Sequence, residues 1–217
     1  MFGRIAHRYD LLNRLLSLGR DVEWRRLVAR RVSDIGPCRL LDVCTGTGDL
    51  ALSFAGPAEV FGSDFCLPML ALAARKTRAR SAVGSWFAAD ALHLPVADDS
   101  VDAVTVAFGI RNFEDLDHGL RELVRVIRPG GRLLVLEFSQ PRGVAAPVLR
   151  WWVRTVPPLV GRVVSGDREA YRYLTESVAS FPDGERLCGM MRSAGMSRVD
   201  ALPLTGGVAT LYDGEIA

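Results

Sequence analysis

Short apolar runs alternate with longer stretches of helical period along most of this chain, and that alternation predicts an α/β fold. Leu40, Leu41 and Val43 form the kind of run that is buried on both faces of a parallel sheet. Residues 60–63, 85–88, 101–107 and 131–139 repeat the pattern. Helical patterns lie between them. One begins near Leu67 and ends in the basic run 75–80; another spans 116–127 and is stopped by Pro129-Gly130-Gly131. Such units in series imply parallel pairing with right-handed crossovers. A final helix at 184–194 and strands at 196–204 and 207–212 complete a mostly parallel sheet of about seven strands, with helices on both faces.

Two stretches depart from the alternation. Residues 1–36 are helical in pattern and basic, with Leu11, Leu12, Leu15 and Leu16 as an apolar face and a second helix from about 21 to 32. They read as a lid over the site, with most of their arginines on a solvated face; a sharper reading lets them touch anionic membrane. Residues 141–180 carry Pro141, Pro147, Pro157 and Pro158 between helical pieces that hold Trp151 and Trp152. They read as a cap inserted after the fifth strand. Residues 1–217 are therefore expected to be one domain with a lid (1–36) and a cap (141–180).

Composition narrows the class. Hydrophobic residues at 49% and charged residues at 24% describe an ordinary globular chain of 217 residues. A formal net charge of +2 gives no general pull toward nucleic acid. Lys76 is the single lysine, and every other basic side chain apart from histidine is arginine. Cys38, Cys44, Cys66 and Cys188 lack metal-ligand spacing and read as buried thiols of a reducing cytoplasm, so neither a metal site nor a disulfide is expected. No run approaches the length of a membrane span, and no leader peptide is visible.

The chemistry is concentrated in residues 40–51, LLDVCTGTGDLA. A buried strand carrying Asp42 runs into Thr45-Gly46-Thr47-Gly48, and a helix is expected to open at Asp49. Gly46 and Gly48 permit positive φ and the close approach of a ligand. The spacing Gly46-x-Gly48-x-x-Ala51 also satisfies a loose dinucleotide fingerprint. A carboxylate directly before the loop repels a pyrophosphate and suits a ligand bearing a cation. Asp64, 16 residues past Gly48, stands where an acid takes ribose hydroxyls, and Asp90-Ala91 after the third strand where an acid accepts from an adenine amino group. A nicotinamide oxidoreductase stays open as a rival, as does a ligand-binding fold without catalysis. The fourth strand ends in Phe108-Gly109-Ile110-Arg111-Asn112, with neither the tetrapeptide nor the Pro-Cys of nucleic-acid methylating enzymes.

The glycine turn resembles motif I of the class I S-adenosylmethionine-dependent methyltransferases, with Cys44 in place of the first glycine. Residues 9–24, YDLLNRLLSLGRDVEW, resemble the N-terminal signature of the quinone-biosynthesis C-methyltransferases, matching at Tyr9, Asp10, Asn13, Leu16, Ser17 and Trp24. Leu12 and Asp21 replace its Met and His. RVIRPGGRLLVLEFS at 125–139 resembles the second signature without departure, and FGIRN, YRYLTES and LTGGVATLYDG also resemble family segments.

The resemblance implies a Rossmann-like class I methyltransferase that converts demethylmenaquinol to menaquinol, leaving S-adenosylhomocysteine. Methylation of a polyprenyl benzoquinol, or of another small molecule, is the alternative. The short N-terminus leans toward the menaquinone branch. By resemblance Thr47, Asp64, Asp90 and Ala91 contact the cofactor, joined by Asp42, Gly46 and Gly48 of the turn. The serine that the family carries in the fourth strand is Ala107 here. Arg111 is read as stabilising the developing phenolate, Asn112 as orienting the phenolic oxygen, and Tyr9 and Asp10 as passing a proton to solvent, with His7 ranked below them. The implied partner is a prenylated quinol, with peripheral contact to anionic membrane at the inner face and a homodimer as the default assembly.

Overall fold

A computed structural model of the chain describes residues 17, 19–36, 38–54, 59–79, 84–142, 147 and 176–217. Chain order runs α1 (Arg20–Ser33), β1 (Arg39–Val43), β2 (Glu59–Asp64), α2 (Leu67–Ala79), β3 (Ser85–Ala88), β4 (Val101–Ala107), α3 (Leu116–Val126), β5 (Ile127–Phe138), α4 (Glu185–Ser193), β6 (Met196–Leu204) and β7 (Ala209–Ile216). The strands form one seven-stranded sheet in the order β3-β2-β1-β4-β5-β7-β6. Pairings from β3 through β5 are parallel, and β7 enters antiparallel to both β5 and β6. The order reverses between β1 and β4, where a doubly wound sheet opens a crevice beyond its C-terminal strand ends.

The period-2 alternation of strand side chains divides the core in two. Leu41, Val43, Leu133 and Val135 face α3 and α4, with Leu123 and Met191 behind them. Leu40, Leu134 and Leu136 face the other way, onto Trp24, Val28 and Val32 of α1. Those three are spaced one turn apart and are each under 5% exposed. Helix α1 is thus a wall of the core. Its Trp24 Nε1 donates to Thr205 Oγ1 at 3.1 Å, tying it to the β6–β7 connection. Residues 1–16, and nearly all of the proposed cap, lie outside the described residues.

Three expected boundaries move. The helix expected at Asp49 is a single 3₁₀ turn, Ala51–Ser53, because Gly56-Pro57 follows within a few residues and cannot extend a helix. Strand β5 begins at Ile127, before the glycines: Ile127 pairs with Val101, a bulge absorbs Pro129–Gly131, and the ladder resumes at Arg132 opposite Ala103. Strand β7 starts later and runs longer than expected. Thr205–Gly207 forms a tight turn with Gly206 and Gly207 at φ 67° and 87°, and pairing on both sides then carries the strand through Asp213 and Glu215 to Ile216.

Candidate active site

A cavity of about 370 Å³ opens at the C-terminal ends of β1, β2 and β4. Its wall includes Cys44, Gly46, Asp64, Asp90, Ala91 and Asn112. Asp64 is the last residue of β2, directly after buried Gly62 and Ser63, and stands on that wall. Its Oδ2 accepts from Gly46 N and its Oδ1 from Cys66 N, each at 2.8 Å, and burial pushes its pKa above the usual carboxylate value. Each oxygen keeps a lone pair for a further donor. Asp90 is exposed at the rim and accepts from Leu92 N at 2.9 Å.

The two glycines of the turn divide their tasks. Gly46 sits at φ 57°, and a Cβ built on it meets nothing within 4 Å, so its backbone borders open cavity. Gly48, at φ 79°, packs inward; a Cβ there would come within 3.0 Å of Trp86 and 3.1 Å of Ala73. Only Gly46 provides the close approach expected of both. Cys44 takes φ 55° despite its side chain, and Phe108 at the tip of the neighbouring β4 takes φ 58°. Cys44 fits because Gly109 faces it: a Cβ on Gly109 would lie 2.4 Å from the Cys44 Cβ.

Asp42 performs a task the sequence did not suggest. It is 1% exposed, and its two oxygens accept from Thr45 Oγ1 and Thr105 Oγ1, each at 2.6 Å. Burial raises its pKa to about 6 against the lowering effect of those hydroxyls. One oxygen holds the loop and the other ties β1 to β4, although the residue also borders a second, smaller cavity with Thr45 and Thr47. Thr47 is buried, and its hydroxyl accepts from Lys76 Nζ at 2.7 Å; the same ammonium reaches Asp49 at 2.6 Å.

Arg111 lies in the 3₁₀ turn Ile110–Asn112 that leaves β4. The sequence reading faces it toward the acceptor across the cleft; in the fold its side chain is 4% exposed, and Nη1 pairs with Glu137 Oε1 at 2.8 Å. Nη1 also donates to Phe108 O at 2.5 Å, and the guanidinium stands 5.7 Å from the centre of the Phe138 ring. Glu137, wholly buried at the end of β5, had no functional reading in the sequence; nor did Lys76 or Asp49. Asn112 does line the larger cavity. Tyr9, Asp10, His7, Trp151 and Trp152 lie outside the described residues.

An acidic cavity with bare backbone at Gly46 fits a nucleoside bearing hydroxyls and a cation better than a pyrophosphate. The comparisons agree. The profile of the ubiE/COQ5 methyltransferase family matches residues 1–215. The demethylmenaquinone methyltransferase of Thermus thermophilus is 51% identical over 219 residues, covering 99% of each chain. The ubiquinone/menaquinone biosynthesis C-methyltransferase UbiE of Syntrophotalea carbinolica is 46% identical, over 99% of this chain and 92% of its own. Among solved structures, a SAM-dependent methyltransferase from Aquifex aeolicus superposes with a TM-score of 0.61 at 17% identity, over 87% of this chain and 88% of that one, which speaks to the fold.

Proposed function

This chain belongs to the ubiE/COQ5 methyltransferase family, and from that premise we propose that it methylates a ring carbon of demethylmenaquinol with S-adenosylmethionine as donor. The observation that carries the reading is the cavity beside the glycine loop, with open space at Gly46, Asp64 on its wall and Asp90 at its rim. Gly46, Asp64, Asp90 and Ala91 hold the adenosine, while Asp42, Thr47 and Gly48 keep the loop in shape. Bound there, S-adenosylmethionine supplies an electrophilic methyl group on a sulfonium.

The chain's own residues act on the acceptor. Its phenolic oxygen must shed its proton so that electron density reaches the neighbouring ring carbon, and the ring proton must leave afterwards. Asn112, on the cavity wall, orients the phenolic oxygen. Arg111 is too weak a base to take a proton and instead favours the phenolate electrostatically, its charge offset in part by Glu137. Tyr9 and Asp10 relay the proton outward. Among the described residues no helix is long and apolar enough to cross a membrane. The exposed arginines of α1, Arg20, Arg26, Arg30 and Arg31, supply peripheral attraction to anionic lipid, and a homodimer is the assembly we assign.

The test is direct. Purified protein, S-adenosylmethionine and chemically reduced demethylmenaquinone are incubated, and methylated quinol is quantified by mass spectrometry beside a reaction with a polyprenyl benzoquinol. Faster turnover of the benzoquinol would move the assignment to the ubiquinone branch. Methylation of neither quinol, with S-adenosylhomocysteine still bound, would reject it.

A further inference from the structure

Among the described residues, the larger cavity is lined by three carboxylates, Asp64, Asp90 and Glu114, and by no cation. That suits adenosine and leaves the other end of the donor without a partner. The amino-acid tail of S-adenosylmethionine ends in a carboxylate beside an ammonium, and a carboxylate taken out of water demands a positive or hydrogen-bonding receptor. The smaller cavity, about 30 Å³, adjoins the first at Cys44, Gly46 and Phe108, which line both. Arg25 is the one cationic side chain bordering either cavity among the described residues.

Arg25 does not belong to the solvated face of α1. It is buried while its neighbour Arg26 is exposed. Its Nη1 holds Asp21 Oδ2 at 2.7 Å and reaches Asp49 Oδ2 at 3.7 Å. Asp21 is itself fixed by Ser17 Oγ at 2.7 Å. Both contacts run through Nη1, leaving Nη2 and the Nε–H for a ligand carboxylate. Asp49 makes a weak competitor, because Lys76 Nζ already lies 2.6 Å from its Oδ1. Arg25 and Lys76 are matched by Asp21 and Asp49, with Asp42 also on the lining, and a zwitterionic tail adds no net charge.

We infer that Arg25 is the receptor for the carboxylate of the cofactor's amino-acid tail, with adenosine in the larger cavity and the tail in the smaller. The inference rests on the donor assigned above and deepens it. Helix α1, which precedes the strand–helix alternation, then contributes a binding residue to the cofactor site.

The experiment crosses a residue with a ligand group. Binding of S-adenosylhomocysteine and of its decarboxylated counterpart, the same thioether ending in an amine, is measured by calorimetry to wild type and to Arg25→Met. Loss of the carboxylate weakens wild-type binding roughly ten- to hundredfold, the range for a charge-assisted pair. In Arg25→Met the two ligands bind within about threefold of each other. Arg25→Lys falls between. 5′-Methylthioadenosine, which has no tail, binds wild type and variants alike and reports an intact fold. Should Arg25→Met lose that ligand through the stranded Asp21, the double variant Asp21→Asn/Arg25→Met takes its place. Full discrimination in the variant, or none in wild type, overturns the inference. Failure of wild type to bind S-adenosylhomocysteine at all would instead overturn the donor assignment.

Discussion

Replacing Arg111 with Ala separates two effects that the fold couples. The guanidinium is 4% exposed and its partner Glu137 is wholly buried, so deleting the base strands a carboxylate in the core. Breaking a buried pair from one side costs about 3–5 kcal/mol, against a total stability of about 5–15 kcal/mol for a domain. For a chain of this length that is a fall in melting temperature of roughly 6–20 °C. Lost turnover in the single variant would therefore not by itself reveal a catalytic role. The double variant Arg111→Met/Glu137→Leu removes both charges at similar volume, a change that is often neutral or better for stability. Electrostatic assistance to the phenolate predicts that this variant regains the melting temperature and S-adenosylhomocysteine affinity while turnover stays down about a hundredfold or more. Calorimetric melting, ligand binding and a single-turnover methylation assay give the three readings. Recovery of turnover along with stability would show that Arg111 serves only to hold its turn. An unchanged melting temperature in Arg111→Ala would refute the reasoning about the stranded acid.

Two further outcomes follow from the loop. Asp42 has a folded pKa near 6, above its unfolded value of 3.8, so the native state holds the proton more tightly between those values and stability rises as pH falls through that window. Ionising it on the way to pH 7 withdraws about 3 kcal/mol. Asp42→Asn should flatten this contribution, seen as the difference between wild-type and variant urea midpoints from pH 4 to 7.5; a difference that does not change with pH would refute it. Gly109→Ala places a Cβ 2.4 Å from the Cys44 Cβ, an overpacking worth about 1–3 kcal/mol, and should weaken cofactor binding with it. Cys44→Gly in the same chain should restore both, and a double variant no better than the single would exclude this clash as the cause.

Much of the fold was legible because β1, β4 and the second half of β5 are dominated by buried apolar residues, and such runs mark their own ends. What escaped depended on pairing. The polar residues of β7 read as the end of a strand until Arg132 is found holding Asp213 at 2.5 and 3.1 Å across the ladder. The site shows the same division. Asp64, Asp90 and Gly46 announce themselves through spacing from a strand end. Lys76 and Glu137 do not, because their roles come from partners that lie far along the chain: Lys76 meets Asp49 across 27 positions and Arg111 meets Glu137 across 26. Nothing local to Asp42 reveals that Thr105, 63 residues on, claims one of its oxygens.

The hydrogen bond from Trp24 to Thr205 joins residues 181 positions apart, and Arg31 reaches Asp213 at 3.9 Å from the same helix. During synthesis the first helix therefore leaves the ribosome long before its last partners exist. Until β7 emerges and inserts beside β5, α1 lacks its far anchors. A product truncated before β7 would carry every glycine of the turn and still lack both far anchors of its first helix.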